Sequence, residues 1–480
     1  MKKLSIMLIL MLFVTACSSQ EKQSFTPHFS VIGDVESTQQ IASLDGFNKV
    51  KADRNGEKVD ALCLAEVIEQ AKPRSDSFDI ILKGDDGLSA RIDGSTTKDC
   101  YITFSNEYAW ECINPKHPIS SQIKRLSEII IVTKEAAISN DLGKIGLIDL
   151  NNSKYVTPGQ LLAGGFMYVN QFEGRSEKNG VNVTVYTPHK RIPISGLITE
   201  YNNLYITGHN GAAAYDRSKG SLELCENRID YVYEDGKNVI EDVSGIMSNP
   251  PLISVMDVYR DSLHILEKDE NVLVILLDGL GYNMYKNAEA TGSMPYLSSC
   301  DLQQAVTVFP SISNVSLASM LTGKPPLENG ILAKKDKALI GSDLFKAASD
   351  AGYKCIYIEG DLKLINTSLE PSLNADKNSN GTDDEVFENA KDAVSQAPKL
   401  LFVHFHGIDD TAHATGPYSE QTTQKMREID DMTAKLAAMW HGKIILLADH
   451  GQHNSGEVGI HGIFCEDDML VPYGIIGGQK

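Results

Sequence analysis

In the C-terminal part of the sequence, carboxylates and imidazoles follow apolar runs in an order that could bind metal ions. These residues are Asp278, Asp409, His413, Asp449, His450 and His461. A serine-containing segment, residues 310–314, lies between the first two and could supply a bridging hydroxyl. Mixed oxygen and imidazole ligands suit Zn²⁺, with Mn²⁺ or Fe as alternatives, and do not suit Ca²⁺. Two such ions stabilise the attacking and leaving oxygens of a phosphoryl group, so the set indicates phosphoryl-transfer chemistry.

The spacing of these residues favours their convergence. Asp409 and His413 are four residues apart, so one helical turn would direct both side chains to the same place. Asp449 and His450 are adjacent and need an irregular loop, for which Gly451 supplies backbone freedom. A single aspartate after a strand is more often a helix cap or a turn residue. Here three strand ends carry an aspartate, and two of these have a histidine nearby. This repetition favours a metal-binding site over a chance arrangement of capping residues.

The elements that would position these residues alternate between strands and helices after Asp269, which predicts a doubly wound α/β domain over residues 265–480. Strands are predicted at Asn271–Leu277, Lys354–Ile358, Lys399–Phe405 and Lys443–Ala448, and helices at Ser342–Ala351, Asp383–Ala397 and Ser419–Trp440. Ligand sites in such sheets form beyond the carboxyl ends of the strands, where the candidate residues are found.

The motifs in this region make the interpretation more specific. They are Leu276-Leu277-Asp278-Gly279, a serine nine residues before Thr322-Gly323, the segment Asp409-Asp410-Thr411-Ala412-His413-Ala414-Thr415-Gly416-Pro417, then Asp449-His450-Gly451 and His461-Gly462. With these motifs the region resembles the alkaline phosphatase superfamily, nearest its type I phosphodiesterase/nucleotide pyrophosphatase branch. Counting back from Thr322-Gly323 selects Ser313 as the matching nucleophile, rather than Ser311 or Ser316.

The resemblance implies two divalent metal ions, Zn²⁺ or alternatively Mn²⁺, and assigns ligands to each. One ion would be held by Asp409, His413 and His461, and the other by Asp278, Ser313, Asp449 and His450. Ser313, at the N-terminus of a helix over Asn314–Leu321, would attack phosphorus and form a phospho-serine that water hydrolyses. The expected substrates are small phosphate esters, chiefly diesters, or phosphonates.

Two departures from the branch limit what the resemblance implies. An asparagine that often binds a phosphate oxygen is replaced by Lys334, beside Lys335; Lys334 could act electrostatically, or the two lysines could form a solvated surface pair. Only ten residues separate His450 from His461, where nucleotide- and lipid-cleaving members carry a long insertion. Nucleotide specificity is therefore not expected. His404, His406 and His453 are not assigned as metal ligands.

The N-terminal half is strand-rich and predicts one or two β-rich modules, residues 28–135 and 136–256. A helix is predicted at Ala61–Ala71 from its apolar periodicity. Tyr101-Ile102-Thr103 echoes Tyr205-Ile206-Thr207, which suggests that the modules are related, although chance could explain so short a match. This half also resembles the β-rich molybdopterin-binding domain of sulfite-oxidase-type proteins in fold but lacks a match to its metal-holding cysteine motif.

The first sixteen residues, with Lys2 and Lys3 before an apolar run, predict a secretory signal peptide. Val14-Thr15-Ala16-Cys17 resembles the lipidation box of bacterial lipoproteins, which would leave Cys17 acylated before a tether at residues 17–27. The protein is then expected on the extracytoplasmic face of the cell membrane, with full secretion after ordinary cleavage as the alternative.

Charge and cysteine usage exclude some functions. Loss of Lys2 and Lys3 with the signal peptide moves the formal net charge from −20 to −22, so a nucleic-acid polymer is not an expected partner. With Cys17 acylated, seven of the eight cysteines remain, and this odd number does not predict a disulfide framework. No protein partner is predicted from the sequence.

Other functions remain open at this level. A cofactor-independent phosphoglycerate-type mutase uses a similar site with a serine nucleophile, but its substrates are cytoplasmic. A non-enzymatic surface-binding protein with an inactive hydrolase scaffold is a second alternative. The presence of all seven predicted ligand positions favours an active phosphodiesterase- or phosphatase-type metallohydrolase.

Overall fold

The structure, a computed structural model, describes residues 27–134, 144–149, 152–165, 167–225 and 228–477. The predicted signal peptide, Cys17 and nearly all of the predicted tether lie outside these residues, so their roles stay predictions. The chain divides into two compact units, Met1–Ala137 and Ile138–Lys480. The second unit contains both the predicted second β-rich module and the predicted α/β domain.

The first unit is β-rich, with a single described α-helix, α1 (Leu64–Ala71). Its strands are β1 (Phe29–Gly33), β2 (Gln39–Ile41), β3 (Lys49–Arg54), β4 (Glu57–Cys63), β5 (Phe78–Gly84), β6 (Ser89–Asp93), β7 (Tyr101–Ser105), β8 (Ala109–Ile113) and β9 (Leu126–Thr133). They form a five-stranded sheet in the order β2-β1-β9-β5-β6 and a four-stranded sheet in the order β3-β4-β7-β8. Apolar residues of both sheets and of α1 share one core.

The β-rich part of the second unit contains α2 (Pro158–Ala163) and ten strands. The strands are β10 (Ile145–Asp149), β11 (Asn152–Val156), β12 (Met167–Lys178), β13 (Val181–Pro193), β14 (Leu204–Gly208), β15 (Ala213–Asp216), β16 (Ser221–Cys225), β17 (Arg228–Val232), β18 (Val239–Ile240) and β19 (Val243–Ser248). Two five-stranded sheets result, ordered β11-β10-β19-β14-β15 and β12-β13-β16-β17-β18.

The two β-rich regions repeat one topology. In each, the first strand pairs in parallel with the last (β1 with β9, β10 with β19) and antiparallel with the second. The order β2-β1-β9-β5-β6 thus matches β11-β10-β19-β14-β15 strand for strand. This makes β14 the counterpart of β5, so the Tyr101 and Tyr205 tripeptides, in β7 and β14, are not equivalent. The predicted relationship between modules holds in topology, whereas the sequence match that suggested it was wrong.

The α/β region is built around an eight-stranded mixed sheet in the order β20-β22-β29-β26-β21-β25-β23-β24. Its strands, with a separate hairpin formed by β27 and β28, are β20 (Ile253–Ser254), β21 (Val272–Leu277), β22 (Gln303–Val306), β23 (Cys355–Glu359), β24 (Ser372–Leu373), β25 (Leu400–Phe405), β26 (Lys443–Leu447), β27 (His453–Ser455), β28 (Val458–Ile460) and β29 (Leu470–Gly477). The central strands β21 and β25 are buried at every residue, as expected for parallel strands covered on both faces.

Ten helices of the described chain accompany this sheet. They are α3 (Asp257–Glu267), α4 (Tyr282–Thr291), α5 (Pro295–Ser298), α6 (Ser313–Thr322), α7 (Pro326–Asn329), α8 (Leu344–Asp350), α9 (Asp383–Ser395), α10 (Gly407–Thr415), α11 (Glu420–Met439) and α12 (Glu466–Met469). None of the described helices is both long and apolar enough to span a membrane. The cysteines in the described residues are all free thiols.

The α/β fold with a β-rich N-terminal region is the predicted architecture, and the predicted central strands and helices end within two residues of the observed ones. Two boundaries differ. Residues 61–63 belong to β4 rather than to the predicted helix, because they pair with the neighbouring strands β3 and β7. Ile253 and Ser254, which the sequence boundary placed in the second β-rich module, pair with β22 in the α/β sheet.

The second β-rich region packs directly against the α/β region within the second unit. The buried ring of Phe464 shares a cluster with Tyr205 and Met247. A Cβ at Gly245 would lie 2.0 Å from the Phe464 ring, so glycine is required for this contact. The Tyr205 hydroxyl donates to the backbone oxygen of Thr307 at 3.3 Å. The β-rich region therefore supports the loop that follows His461.

Candidate metal centre and nucleophile

Three neighbouring strands of the sheet bring the predicted ligands to one edge. Asp278 follows β21, Asp409 and His413 lie on α10 after β25, and Asp449 and His450 follow β26. The order β26-β21-β25 places these strand ends side by side. The carboxyl ends of parallel strands form the ligand-binding edge of such sheets, which explains the convergence.

One predicted ligand group surrounds His450. Its Nε2 atom lies 3.1 Å from Ser313 Oγ, 3.4 Å from Asp278 Oδ1 and 3.3 Å from Asp449 Oδ2. Ser313 Oγ also lies 3.4 Å from Asp278 Oδ1. Asp278, Asp449 and His450 are almost completely buried. The structure thus brings together all four residues that the resemblance assigns to one ion.

The other predicted group is more open. His413 Nε2 lies 3.3 Å from Asp409 Oδ2, and His461 Nε2 lies 3.7 Å from Asp409 Oδ1. The two Nε2 atoms of His413 and His461 are 3.1 Å apart. All three residues assigned to this ion therefore meet at one point, and the side chain of His413 is the most exposed of them.

The donor chemistry of both groups fits divalent metal ions. The Nδ1–H groups of His413, His450 and His461 donate to backbone carbonyls of Gly459, Gly451 and Ser311. Their Nε2 atoms therefore carry lone pairs that face other acceptors, an arrangement that a shared cation stabilises. Asp449 Oδ2 is buried without a hydrogen-bond partner among the described residues. The distances between neighbouring ligand atoms in each group also suit a tetrahedral metal site. Ligand atoms bound to one ion at about 2.0 Å lie about 3.3 Å from one another in that geometry.

Glycines permit the close backbone approaches behind these ligands. A Cβ on Gly451 would lie 1.9 Å from the backbone oxygen of Asp467, and Gly451 does not have a positive φ. The sequence predicted that Gly451 is needed for its backbone freedom. The structure shows instead that glycine is needed at residue 451 because a side chain would not fit there. Gly279, at φ +75°, donates its N–H to Asp449 Oδ1 at 3.0 Å, which turns the other carboxylate oxygen toward His450.

Ser313 is the first residue of α6, and Ile312 is at the N-cap. The sequence predicted Ser313 as the cap before a helix at Asn314–Leu321, so the helix begins one residue earlier. The neighbouring Asn314 is buried, and its amide donates to the backbone oxygens of Ala333 and Asp336 at 2.9 and 3.2 Å. This contact fixes the loop that carries Lys334 next to α6. Backbone N–H groups at a helix N-terminus favour anions such as phosphate.

Burial and neighbouring charges shift the ionisation of the ligands. Burial alone would raise the pKa of Asp278, but hydrogen bonds with His404 and His406 hold it well below its usual range. Burial, together with the charge of Asp278, raises the pKa of Asp449 to about 7. The hydrogen bond to Asp409 raises the pKa of His413 to about 9. The carboxylates of the site are therefore stabilised by neighbouring positive charge, which protons on the imidazoles or a bound cation can supply.

Several residues at the site were not found from the sequence. Glu359, which ends β23, is fully buried and contacts both His404 and His406, which the sequence left unassigned. The position of Glu359 at a strand end is the signal that could have identified it, as it did for Asp278. Gln452 is also fully buried and donates its amide to Asp409. His453 belongs to neither predicted ligand group. Its Nδ1 atom lies 2.7 Å from Asp468 Oδ1.

A cavity of about 490 Å³ opens over the predicted ligands and nucleophile. Lys334 lines it and is exposed, whereas Lys335 is not among its lining residues. Lys337 also lines the cavity, although its Nζ atom donates to the backbone oxygens of Lys363 and Leu364. The remaining lining residues are Asp278, Ile312, Ser313, Asn314, Asp361, Leu362, Leu364, Asp376, Gly381, Thr382, His406, Asp409, Asp410, His413 and His461.

The sequence from residue 272 to 339 and from 342 to 470 matches the family Type I phosphodiesterase / nucleotide pyrophosphatase. This match covers less than half of the chain but includes every predicted ligand and Ser313. Among curated proteins, human GPI ethanolamine phosphate transferase 2, catalytic subunit, is 22% identical over 225 residues, which are 42% of this chain and 22% of that protein. The chain thus spans about a fifth of the length of this relative.

Two solved structures of phosphonoacetate hydrolase from Sinorhizobium meliloti 1021 are also similar. The complex with phosphonoformate is 18% identical, has a TM-score of 0.31, and covers 38% of this chain and 56% of its own. The complex with phosphonoacetate is 17% identical with the same TM-score, over 39% of this chain and 58% of its own. The family match runs across the whole predicted ligand set, so residues 272–470 are similar in sequence to the Type I phosphodiesterase / nucleotide pyrophosphatase family.

Proposed function

We propose that this protein hydrolyses phosphate diesters or phosphonates with Ser313 as the nucleophile and two divalent metal ions. The observation that carries the proposal is the position of Ser313 Oγ, 3.1 Å from His450 Nε2 and 3.4 Å from Asp278 Oδ1 at the N-terminus of α6. Ser313 also lines the cavity, where a substrate would reach its hydroxyl.

Each proposed ion has its own ligands. Asp409, His413 and His461 would hold one; Asp278, Ser313, Asp449 and His450 would hold the other. Imidazole and carboxylate ligands support Zn²⁺, with Mn²⁺ as the alternative. When bound, the ions would lower the pKa of the Ser313 hydroxyl and neutralise charge on the phosphoryl oxygens.

The residues of the chain account for the other requirements of the reaction. The Ser313 hydroxyl loses its proton to solvent, and Oγ forms a bond to phosphorus as the bond to the leaving oxygen breaks, or the bond to the leaving carbon in a phosphonate. A phospho-serine results, and the leaving group takes up a proton from water. Water then hydrolyses the phospho-serine and restores the hydroxyl. The N-terminus of α6 orients phosphoryl oxygens through backbone N–H groups, and Lys334 attracts the negatively charged ester into the cavity.

A second candidate substrate class is an ester whose leaving group carries an amine. Asp361 and Asp376 line the same cavity as Lys334, so positive and negative side chains are both available to a zwitterionic ester. The name of the human relative, an ethanolamine phosphate transferase, supports including phosphoethanolamine esters among the substrates to be tested.

The test compares bis-p-nitrophenyl phosphate, p-nitrophenyl phosphate, a phosphonate and a phosphoethanolamine ester, each with metal-loaded and metal-free protein. We expect metal-dependent cleavage, faster for the diester than for the monoester. Ser313→Ala should lower kcat by at least about a thousandfold at saturating Zn²⁺, where the three remaining ligands still hold the ion. Ser316→Ala is the matched control, because its hydroxyl pairs with Thr307 at 3.0 Å rather than with the ligands. Metal-loaded protein that cleaves none of these esters would refute the proposal.

We further propose that Cys17 anchors the protein to the extracytoplasmic face of the cell membrane through a lipid. The support is the Val14-Thr15-Ala16-Cys17 segment behind the apolar leader. Expression with a labelled fatty acid should label the wild type and not Cys17→Ser, and the variant should leave the membrane fraction. A wild-type protein recovered unlabelled from the medium would instead support secretion.

A further inference from the structure

The segment between β24 and α9 has the residue spacing of a calcium-binding loop. Calcium loops of the EF-hand type carry oxygen ligands at positions 1, 3, 5 and 9 and a glycine at position 6. Counted from Asp376, the matching residues are Asn378, Asn380 and Asp384, with Gly381 at φ +98° as the glycine. The bidentate glutamate of position 12 is absent, since that residue is Phe387.

Oxygen atoms converge inside this loop. Asn380 Oδ1 lies 3.2 Å from Asp384 Oδ1 and 3.0 Å from the backbone oxygen of Gly381, and it also contacts Asn378 Oδ1. All of these atoms are hydrogen-bond acceptors, so they cannot stabilise one another. Oxygens bound to one Ca²⁺ ion at about 2.4 Å lie about 3 Å from one another, which matches this arrangement.

A buried carboxylate oxygen beside the loop also lacks a donor. Glu385 Oε1 accepts from the Lys377 N–H group at 3.1 Å, but Oε2 is buried and has no hydrogen-bond partner among the described residues. The Glu385 side chain lies within hydrogen-bonding reach of the Asp384 carboxylate. The opposite orientation of the Asn380 amide would donate to the three oxygens around it but not to Glu385. A cation in the loop satisfies both sets of oxygens.

The loop holds its shape through its own hydrogen bonds. The Asp376 carboxylate accepts from the backbone N–H groups of Asn378, Ser379 and Gly381 at 3.0, 2.7 and 3.2 Å. The Asn378 amide donates to Asp384 Oδ2 at 2.7 Å, which leaves its Oδ1 atom beside that of Asn380. Because the oxygens are already gathered, an ion would bind with little rearrangement of the chain.

We propose that this loop binds one Ca²⁺ ion through Asp376, Asn378, Asn380, Asp384 and Glu385. A set of carboxylate and amide oxygens suits Ca²⁺, whereas Zn²⁺ prefers imidazole and thiolate ligands. Mg²⁺ demands near-ideal octahedral geometry and should bind more weakly. Without a glutamate at position 12, the Kd for Ca²⁺ should be on the order of 10⁻⁴ M. None of these five residues is a ligand of the two ions in the proposed function.

The ion would stabilise one wall of the cavity. Asp376, Gly381 and Thr382 line the cavity, and α9 begins at the end of the loop. Asp383, the first residue of α9, accepts from the backbone N–H of His406 at 2.9 Å. It also accepts from the N–H of the first residue of α10 at 3.1 and 3.2 Å. The loop is therefore joined to the helix that carries two of the proposed ligands.

Calcium binding is measured on protein already loaded with Zn²⁺, so that the result does not depend on the proposed function. Calorimetric titration with CaCl₂ should show one site in the wild type. Asp384→Asn should weaken binding by at least about tenfold, because a neutral amide replaces a charged ligand. Asp392→Asn, an exposed aspartate on the same helix, is the control and should bind as the wild type does. Equal affinities for Asp384→Asn and the wild type would overturn the site, as would no saturable binding up to about 10 mM Ca²⁺.

A measurement on the wild type alone makes the test independent of the folding of the variants. Lys377 is exposed within the loop, so endoproteinase Lys-C can cleave after it when the loop opens. At a Ca²⁺ concentration ten times the Kd, this cleavage should slow by about tenfold relative to the same concentration of Mg²⁺. Cleavage after Lys237, exposed in the turn between β17 and β18, should not change. Equal rates of cleavage after Lys377 in Ca²⁺ and Mg²⁺ would contradict the proposal.

Discussion

The amide of Gln452 holds Asp409 at two places: Nε2 donates to the Asp409 backbone oxygen at 3.2 Å and also to its Oδ1 atom. Gln452 is fully buried, so water does not compete for these hydrogen bonds. The opposite carboxylate oxygen, Oδ2, faces His413 at 3.3 Å. Gln452 therefore fixes the direction in which Asp409 presents its carboxylate to the proposed metal ion.

Gln452→Leu should weaken the binding of one metal ion by about 10- to 100-fold, because the Asp409 carboxylate loses the group that orients it. Calorimetric titration of the metal-free protein with Zn²⁺ would measure this change. Gln424→Leu, an exposed glutamine on α11, is the control and should bind metal as the wild type does. Equal affinities for Gln452→Leu and the wild type would show that Asp409 does not need this orientation.

Metal affinity should fall as the pH is lowered. The raised pKa values of His413, about 9, and Asp449, about 7, mean that protons compete with the metal below these values. Metal binding therefore releases protons, and affinity increases as the pH rises through about 7 and then about 9. Titrations in buffers of different ionisation enthalpy would measure the number of protons released. A pH-independent affinity across this range would contradict the proposed ligands.

Metal removal should also lower stability. An ion that binds only the folded state stabilises it by about 2.7 kcal/mol at a free concentration one hundred times its Kd. Differential scanning calorimetry with and without a chelator should therefore show a lower Tm for the metal-free protein, with partial recovery on adding Zn²⁺. The Asp409→Ala variant, deprived of one ligand, should show a smaller shift than the wild type.

Substitutions of Lys334 and of its neighbour Lys335 test whether a positive charge in the cavity helps to bind the substrate. Only Lys334 lines the cavity, although both side chains are exposed. Lys334→Ala should raise KM for a phosphodiester by about tenfold, equivalent to about 1.4 kcal/mol of lost charge-assisted interaction, with a smaller effect in high salt. Lys335→Ala should leave KM unchanged. Equal effects of both substitutions would indicate general surface charge instead of a specific contact.

The sequence predicted the α/β core well because its signals are local. The apolar runs before Asp278, Asp409 and Asp449 define buried strands, and a polar residue at a strand end marks the ligand edge. The spacing of Asp409 and His413 predicted a helical turn, and α10 provides it. These features needed no knowledge of which strands are neighbours.

The missed features depend on strand order and on packing between distant segments. Glu359 meets His404 only because β23 lies beside β25 in the sheet, an adjacency that no local pattern reveals. Gln452 lies 43 positions after Asp409 in the sequence. In the N-terminal half, short strands with few identities led to a false match between Tyr101 and Tyr205, whereas strand pairing shows which strands are equivalent.

The close approach of Gly451 to Asp467 predicts a severe effect for a single added methyl group. A Cβ at residue 451 would meet the Asp467 backbone oxygen at 1.9 Å and Gly281 Cα at 2.6 Å, and neither is a flexible side-chain end. Gly451→Ala should therefore displace the loop that carries His450, destabilise the fold by about 1–3 kcal/mol and reduce metal binding. Gly196→Ala, where no atom lies within 4 Å of the added Cβ, should be neutral or slightly stabilising. Chemical denaturation of both variants with bound metal measured in parallel gives the comparison, and a Gly451→Ala protein as stable as Gly196→Ala would show that the loop can move without cost.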